Sequence, residues 1–142
     1  MGVSGCGKST VGALLAERLG VPYAEADSFH PPANVEKMSA GTPLDDEDRG
    51  PWLDAIAVWL AEHAALGGGV VSCSALRRRY RDRLRESGAQ IFFLHLEGSE
   101  ALIEQRLAGR KGHFMPRSLL RSQFAALEPL EADERGASVP VG

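Results

Sequence analysis

A glycine-rich motif at the start of the chain constrains its fold more than any other feature. Residues Gly2–Ser9 read GVSGCGKS, a full match to the pattern G-x-x-x-x-G-K-[S/T]. Glycines at these positions let the backbone curl so that several N–H groups converge on phosphate oxygens. Apolar residues at helical spacing predict a helix from Gly7 to Leu19, whose positive N-terminal end would reinforce an anion site. The motif therefore predicts a phosphate-binding loop.

The residue types of this loop suggest roles around a bound nucleotide. Lys8 can reach the β and γ phosphates, and the Ser9 hydroxyl can ligate Mg²⁺. The loop residues predicted to bind ATP are Gly2, Val3, Ser4, Gly5, Cys6, Gly7, Lys8, Ser9 and Thr10. The loop alone does not separate a kinase from an ATPase or a GTPase switch. The Asn-Lys-x-Asp stretch with which G proteins read their base does not occur in this sequence.

Strand-like and helix-like segments alternate along the chain, which predicts a parallel sheet covered by helices. Short apolar segments predict strands at Val21–Asp27, Val70–Cys73, Ile91–Leu96 and Ser138–Val141. Further helices are predicted between Pro31 and Gly41, from Pro51, over Leu76–Glu86, after Ser99 and from Pro116. The expected fold class is α/β, a doubly wound parallel sheet with helices on both faces. Residues 1–142 should form a single domain, with a helical acceptor-binding insert around Pro31 to Ala65.

Only Met1 precedes the phosphate loop, although such a loop normally follows a buried strand. A gap in a parallel sheet would leave backbone groups on both neighbouring strands unpaired. We therefore expect the domain to be truncated at this end and to lack its first strand.

Composition and charge exclude several classes of protein. The net charge of −3 provides no general basic field for nucleic acid, so an anion such as ATP needs a local cationic site. No apolar run is long enough to span a bilayer. The two cysteines, Cys6 and Cys73, form no spaced metal motif and no disulfide framework. We expect a cytoplasmic protein that binds neither nucleic acid nor membrane.

Motifs along nearly the whole chain resemble those of the gluconokinase family of small P-loop kinases. The matching stretches are Met1–Ser9, Ala26–Pro31, Asn34–Met38, Gly41–Arg49, Pro51–Leu53, Ser72–Leu76, Tyr80–Asp82 and Arg110–Phe114. The resemblance implies phosphorylation of D-gluconate at its 6-hydroxyl with ATP and Mg²⁺, and it suggests a homodimer. The family's first strand and its final helix are absent here, and Arg77 stands where lysine is common in the family.

The chemistry of transfer to an alcohol requires a carboxylate to take the proton of the acceptor hydroxyl. Asp27 is our candidate, because it ends the second strand at the side of a parallel sheet where ligands bind. Asp27 could instead cap a loop or help to hold Mg²⁺ through water. His30 could hydrogen-bond a hydroxyl or the carboxylate of a sugar acid, and Lys37 is a further predicted substrate contact.

The carboxylate of gluconate requires a cation, and Arg49 is the best candidate. Arg49 directly follows the acidic residues 45–48, whose negative charge would otherwise repel both ATP and gluconate. The alternative is a surface charge cluster that pairs with itself. Arg81 is a second candidate, although most of the arginines on its predicted helix must simply be solvated.

A basic stretch between two predicted helices has the composition of a closing lid. Arg106, Arg110, Lys111 and His113 gather around two glycines. Such a lid would cover ATP and exclude water. We expect Arg106 and Arg110 to bind ATP, and Arg110 to stabilise charge in the transition state; a plain exposed charge is the alternative.

Two rival functions stay open at the level of sequence. One is another small-acceptor kinase, acting on shikimate or on a nucleoside monophosphate. The other is a nucleotide-dependent switch that has no acceptor.

Overall fold

The helices and strands alternate along the chain, as the sequence predicted. The computed structural model describes residues 1–3, 5–42, 44–108 and 117–141. The helices are α1 (Lys8–Leu19), α2 (Pro32–Ser39), α3 (Asp46–Ala65), α4 (Arg78–Arg85), α5 (Glu100–Ala108) and α6 (Arg117–Ala126). The strands are β1 (Tyr23–Glu25), β2 (Val70–Ser72), β3 (Phe93–Glu97) and β4 (Gly136–Pro140). A short 3-10 helix, Ala26–Phe29, follows β1.

The four strands form two parallel pairs. In the first pair Tyr23 of β1 lies opposite Val70 of β2, and in the second Phe93 of β3 lies opposite Gly136 of β4. Parallel neighbours need crossover connections, and the intervening helices supply them. This arrangement confirms the predicted α/β class with parallel strands.

An apolar cavity of about 580 Å³ separates the two strand pairs. Its lining comes from β2 and β3, with α1 and α3 contributing Val11, Leu15, Ile56 and Leu60. At one end of the cavity Met1 is hydrogen-bonded to β3. Its amino group donates a hydrogen bond to the Leu94 carbonyl at 2.6 Å, and the Leu96 N–H donates to the Met1 carbonyl at 3.0 Å.

The phosphate loop is fixed at this end of the cavity. The Gly2 N–H donates to the Ser74 carbonyl beyond β2 at 3.1 Å, so residues 1 and 2 contact both halves of the fold. These backbone hydrogen bonds anchor the loop to both strand pairs. Burial at the same place lowers the pKa of the Met1 amino group to about 6.

Two apolar cores hold the layers together. One contains Ala26, Trp52, Leu53, Ile56, Ala57, Cys73, Ala75, Leu84 and Phe93. The other contains Val3, Cys6, Leu76, Leu96, Ile103 and Leu120. Side chains of α3 pack in the first core, and side chains of the phosphate loop pack in the second. Both segments are therefore held in place by apolar contacts.

The start of α3 differs from the sequence prediction, which placed Pro51 at the first helical position. The helix begins at Asp46, and Pro51 lies inside it. Asp45 and Asp48 form a reciprocal capping box, in which each side chain accepts a hydrogen bond from the backbone N–H of the other. The acidic run therefore starts a helix, where negative side chains complement the helix dipole.

A buried histidine in β3 makes the stability of the fold depend on pH. His95 is 3% exposed, and its Nδ1 lies 3.4 Å from the Ser138 hydroxyl of β4. Burial lowers the pKa of His95, the Glu97 carboxylate opposes this shift, and the positive charges of the Met1 amino group and Arg81 add to it. The folded state thus favours the neutral ring.

We expect the free energy of unfolding to fall as the pH drops below about 6.5, the unfolded-state pKa of histidine, because the unfolded chain then binds more protons. Replacement His95→Gln should flatten this dependence between pH 7.5 and 5.5. Chemical denaturation of both proteins across that range would test this expectation. Parallel pH curves for the two proteins would contradict it, whatever constant offset the substitution adds.

Candidate active site

The phosphate loop has a backbone shape that favours glycine at three of its described positions, Gly2, Gly5 and Gly7, all with positive φ. Gly2 has φ 145°, and a Cβ there would lie 2.7 Å from Cys6 Sγ and 2.9 Å from the Leu96 carbonyl oxygen. Gly7 has φ 101° at the N-cap of α1, where a Cβ would meet no atom within 4 Å. The space beside Gly7 at the start of α1 is therefore open.

The first turn of α1 has no side chain that competes with an anion. The N-cap makes no side-chain hydrogen bond, and the first turn contains no acidic residue. Such helix ends carry unpaired N–H groups and a partial positive charge. The described part of the loop therefore has the electrostatics of a phosphate site.

Lys8 holds its ammonium group over the loop. Its Nζ donates to the Gly2 carbonyl at 2.9 Å and to the Val3 carbonyl at 3.0 Å. At the sheet, the Ser72 hydroxyl donates to the backbone carbonyl of Lys8 at 2.8 Å and fastens the start of α1 to the end of β2. The ammonium therefore lies against the backbone of the loop.

The other loop residues predicted to contact ATP differ in their exposure to solvent. Val3 and Cys6 are buried in the second core, so only their backbone groups face the loop. Ser9 and Thr10 are exposed in the first turn of α1, and the Ser9 side chain also hydrogen-bonds with Tyr23. Ser4 lies outside the described residues.

Asp27 lies beyond the end of β1, within the 3-10 helix, and not in the strand itself as the sequence predicted. The strand ends two residues earlier, and Asp27 is exposed. The neighbouring Ala26 carbonyl accepts a hydrogen bond from Trp52 Nε1 at 2.7 Å. This buried bond to α3 fixes the turn that presents the carboxylate.

Asp27 and Lys8 lie at the same end of the first strand pair. Strands β1 and β2 are parallel neighbours, with Glu25 opposite Ser72, and Asp27 follows β1 directly within the 3-10 helix. The Ser72 hydroxyl at the end of β2 holds the backbone carbonyl of Lys8. The candidate base and the loop lysine therefore belong to segments that meet at the carboxyl ends of these two strands.

His30 packs against the first half of α3. Its ring stacks on Trp52 with centroids 4.5 Å apart, and its Nδ1 lies 3.2 Å from Asn34 Nδ2, which also donates to the Asp48 carbonyl at 2.9 Å. Burial lowers the pKa of His30; the Asp27 carboxylate opposes this shift and the Arg49 guanidinium adds to it. His30 is therefore held close to the part of α3 that carries Arg49.

Arg49 has an aromatic partner that the sequence did not reveal. Its Nη1 donates to the Tyr80 hydroxyl at 3.2 Å, and its guanidinium carbon lies 5.4 Å from the centroid of the Tyr80 ring. The contact joins α3 to α4 across 31 positions of sequence. No local pattern could have paired these two residues.

Lys37 is tied to the start of α3. Its Nζ contacts both carboxylate oxygens of Asp48 at 2.8 Å, and this hydrogen bond is the main cause of a raised Lys37 pKa. The pair joins α2 to α3 at the surface. The substrate role of Lys37 stays a prediction.

Arg81 has a structural role. Its side chain is fully buried, and the guanidinium forms a two-pronged pair with Glu134, at 2.6 Å from Nε and 3.0 Å from Nη2. Its other N–H groups donate to the backbone carbonyls of Ala75, Leu76 and Pro129. All five donors of the guanidinium are therefore used, which leaves none for a substrate. We do not include Arg81 in the proposed site.

The predicted lid lies mostly outside the described residues. Arg106 is exposed in the last turn of α5. Arg110, Lys111 and His113 fall outside the described residues, as do both flanking glycines.

Comparisons with known proteins identify the family. A family model described as "Shikimate kinase" matches residues 4–136. The gluconokinase of Gluconobacter oxydans is 53% identical over 135 residues, which cover 94% of this chain and 76% of that protein. The thermoresistant gluconokinase of Escherichia coli is 43% identical over 135 residues, covering 94% of this chain and 77% of that protein. The chain belongs to the gluconokinase family.

Solved structures agree with this membership. A gluconokinase from Sinorhizobium meliloti matches with a TM-score of 0.84 and 50% identity, covering 99% of this chain and 79% of that one. A sugar kinase from a Janibacter species matches with a TM-score of 0.90 and 49% identity, covering 99% and 82%. The APS kinase of Mycobacterium tuberculosis shares the fold alone, with a TM-score of 0.57 at 21% identity. The chain is therefore a kinase of the P-loop class.

None of the described helices combines the length and the apolar character needed to cross a bilayer.

Proposed function

We propose that this chain transfers the γ-phosphoryl group of ATP to the 6-hydroxyl of D-gluconate, giving 6-phospho-D-gluconate and ADP. The observation that carries the proposal is the packing of the turn that holds Asp27 and His30 against the α3 segment that holds Arg49, in a chain 53% identical to a gluconokinase. A carboxylate, a hydrogen-bonding ring and a guanidinium suit an acceptor that combines hydroxyls with a carboxylate.

The nucleotide half of the site fits ATP with Mg²⁺. Open space at Gly7 and the uncapped start of α1 suit the phosphates, and Lys8 would offset their charge. Ser9 would ligate Mg²⁺, which supplies further charge neutralisation when bound. We also propose that Arg106 and Arg110 contact ATP, with Arg110 acting on the transition state.

In the acceptor half, Asp27 would orient the attack. As the 6-hydroxyl oxygen bonds to the γ-phosphorus, the bond to the β–γ bridging oxygen breaks and ADP leaves with that electron pair. The hydroxyl proton passes to the Asp27 carboxylate. His30 favours its neutral form, and its Nδ1 accepts from the Asn34 amide, so its Nε2–H can donate a hydrogen bond to a gluconate oxygen.

A screen of acceptors tests the proposal. ADP release would be measured with ATP and Mg²⁺ in the presence of gluconate, shikimate, glucose or AMP. Shikimate is included because the matching family model bears that name. We expect release above background with gluconate. Preferential use of shikimate or AMP would overturn the acceptor assignment, and release independent of any acceptor would indicate an ATPase or a switch.

The carboxylate contact gives a specific prediction for Arg49. The Arg49→Ala variant should raise the KM for gluconate by roughly tenfold to 100-fold with kcat little changed, because a charge-assisted hydrogen bond is worth about 1.5–3 kcal/mol. Steady-state kinetics with each substrate varied in turn would measure this.

Arg83→Ala is a matched control for Arg49. Arg83 pairs with Asp54 across the same two helices, α3 and α4, at 2.8 Å and away from Asp27. The control should keep both KM values. An Arg49→Ala protein with an unchanged gluconate KM would remove Arg49 from the site.

Broader proposals concern location and partners. We propose a homodimer from the family resemblance, and a cytoplasmic location from two cysteines that form no disulfide framework. The net charge of −3 leads us to expect no binding of nucleic acid. Light scattering of the purified chain would measure its oligomeric state.

A further inference from the structure

The starts of α3 and α4 meet in a cluster of charged side chains around one tyrosine ring. Asp46 and Arg49 come from α3, and Arg79 and Tyr80 come from α4. The Tyr80 hydroxyl donates to Asp46 Oδ1 at 2.7 Å and accepts from Arg49 Nη1 at 3.2 Å. The guanidinium carbons of Arg49 and Arg79 lie 5.4 and 5.5 Å from the ring centroid, within the range of cation–π attraction.

Asp46 lies closer to Arg79 than to Arg49. Arg79 Nη2 lies 2.5 Å from Asp46 Oδ2, whereas Arg49 Nη1 lies 3.9 Å from Asp46 Oδ1. The hydrogen bond from Tyr80, followed by the two arginines, lowers the pKa of Asp46 and keeps it ionised. Arg49 therefore has a neutral hydroxyl as its close partner, with a carboxylate just beyond it.

We propose that Tyr80 is a positioning residue that holds Arg49 beyond hydrogen-bond distance of Asp46, 3.9 Å away at the outer limit of an ion pair. Its hydroxyl separates the two, so the guanidinium retains its charge and its remaining donors for the carboxylate of an acidic acceptor. The inference rests on the proposed function, since it assigns Arg49 to gluconate. It makes Tyr80 a determinant of selectivity for an aldonate over a neutral sugar.

The consequence of losing the hydroxyl follows from these distances. In Tyr80→Phe, Arg49 Nη1 and Asp46 Oδ1 both lose their hydrogen-bond partner, and a shift of about an ångström would bring them into direct contact. An arginine held by its own carboxylate binds an external carboxylate less well, because the two compete for the same donors. The ring remains in this variant and should preserve the cation–π contacts and the packing.

The test is a set of three variants assayed with gluconate. Tyr80→Phe should raise the gluconate KM about three- to tenfold, the range of one neutral hydrogen bond, with kcat and the ATP KM retained. Asp46→Asn removes the competing charge and should leave the gluconate KM unchanged or lower. The double variant should return the KM to near the wild-type value, a rescue that a role in packing alone would not produce.

The outcomes distinguish the proposed role of Tyr80 from the proposed phosphorylation of gluconate. A wild-type protein inactive on gluconate overturns both. Turnover with an unchanged KM in Tyr80→Phe, or a double variant no better than Tyr80→Phe, overturns the role of Tyr80 alone. Should Tyr80→Phe fail to fold, Asp46→Asn still decides, because a raised gluconate KM in that variant contradicts competition by Asp46.

Discussion

Replacing Asp27 with asparagine should lower kcat by about 10²–10⁴-fold while the KM for ATP stays close to wild type, because general-base contributions are typically of that size. Asparagine is nearly isosteric with aspartate but does not take up the proton of the acceptor hydroxyl. The turn should survive, since it is held by the Ala26 carbonyl and Trp52 and not by the exposed carboxylate. Initial rates with saturating gluconate would measure the effect.

A control variant and a Mg²⁺ titration distinguish a general-base role of Asp27 from a role in holding Mg²⁺ through water. Asp54→Asn removes a carboxylate that pairs with Arg83 on the outer side of α3, and it should keep full activity. If Asp27 instead holds Mg²⁺ through water, Asp27→Asn should raise the Mg²⁺ concentration needed for half-maximal rate and recover with excess metal. A kcat within threefold of wild type would remove Asp27 from the reaction.

Replacing Lys8 with alanine should lower kcat by roughly 10²–10³-fold, the cost typical of losing one preorganised donor to developing charge. Its ammonium would offset charge on the phosphates, whereas its present partners are the carbonyls of Gly2 and Val3. Each lost hydrogen bond should cost only about 0.5–1.5 kcal/mol of stability. The variant should therefore fold with a modestly lower melting temperature.

The matched control for Lys8 lies on the same helix. Arg18 is an exposed cation in the last turn of α1, at the end away from the phosphate loop. Arg18→Ala should keep its activity. A folded Lys8→Ala protein with wild-type kcat would contradict the phosphate-loop assignment.

The sequence predicted the fold well where the evidence was periodic or contained in a local motif. Helix α1 was placed within one residue, since the loop defines its start and Gly20 its end in a left-handed conformation. The helix predicted after Ser99 is confirmed as α5, and the Ser99 hydroxyl caps it by accepting from the Leu102 N–H at 3.2 Å. Strand β4 was predicted as Ser138–Val141 and lies at Gly136–Pro140.

The sequence was less informative wherever one residue acts on another far along the chain. Arg81 looked like a candidate cation, because the partner that occupies it, Glu134, stands 53 positions later. Tyr80 belonged to a matching motif, yet its contact with Arg49 depends on how two helices cross. The sequence predicted that α3 begins at Pro51, a residue favoured at the first helical position. The capping box of Asp45 and Asp48 instead starts the helix at Asp46.

Identifying the phosphorylated product tests the central claim most directly. The chain would be incubated with ATP, Mg²⁺ and gluconate, and the product examined by phosphorus-31 NMR with proton coupling. A phosphate transferred to the 6-hydroxyl should give a phosphorus resonance split by the two protons of carbon 6, with one ADP formed for each phosphate ester. A phosphate on another oxygen, or ADP formed without a gluconate ester, would contradict the account.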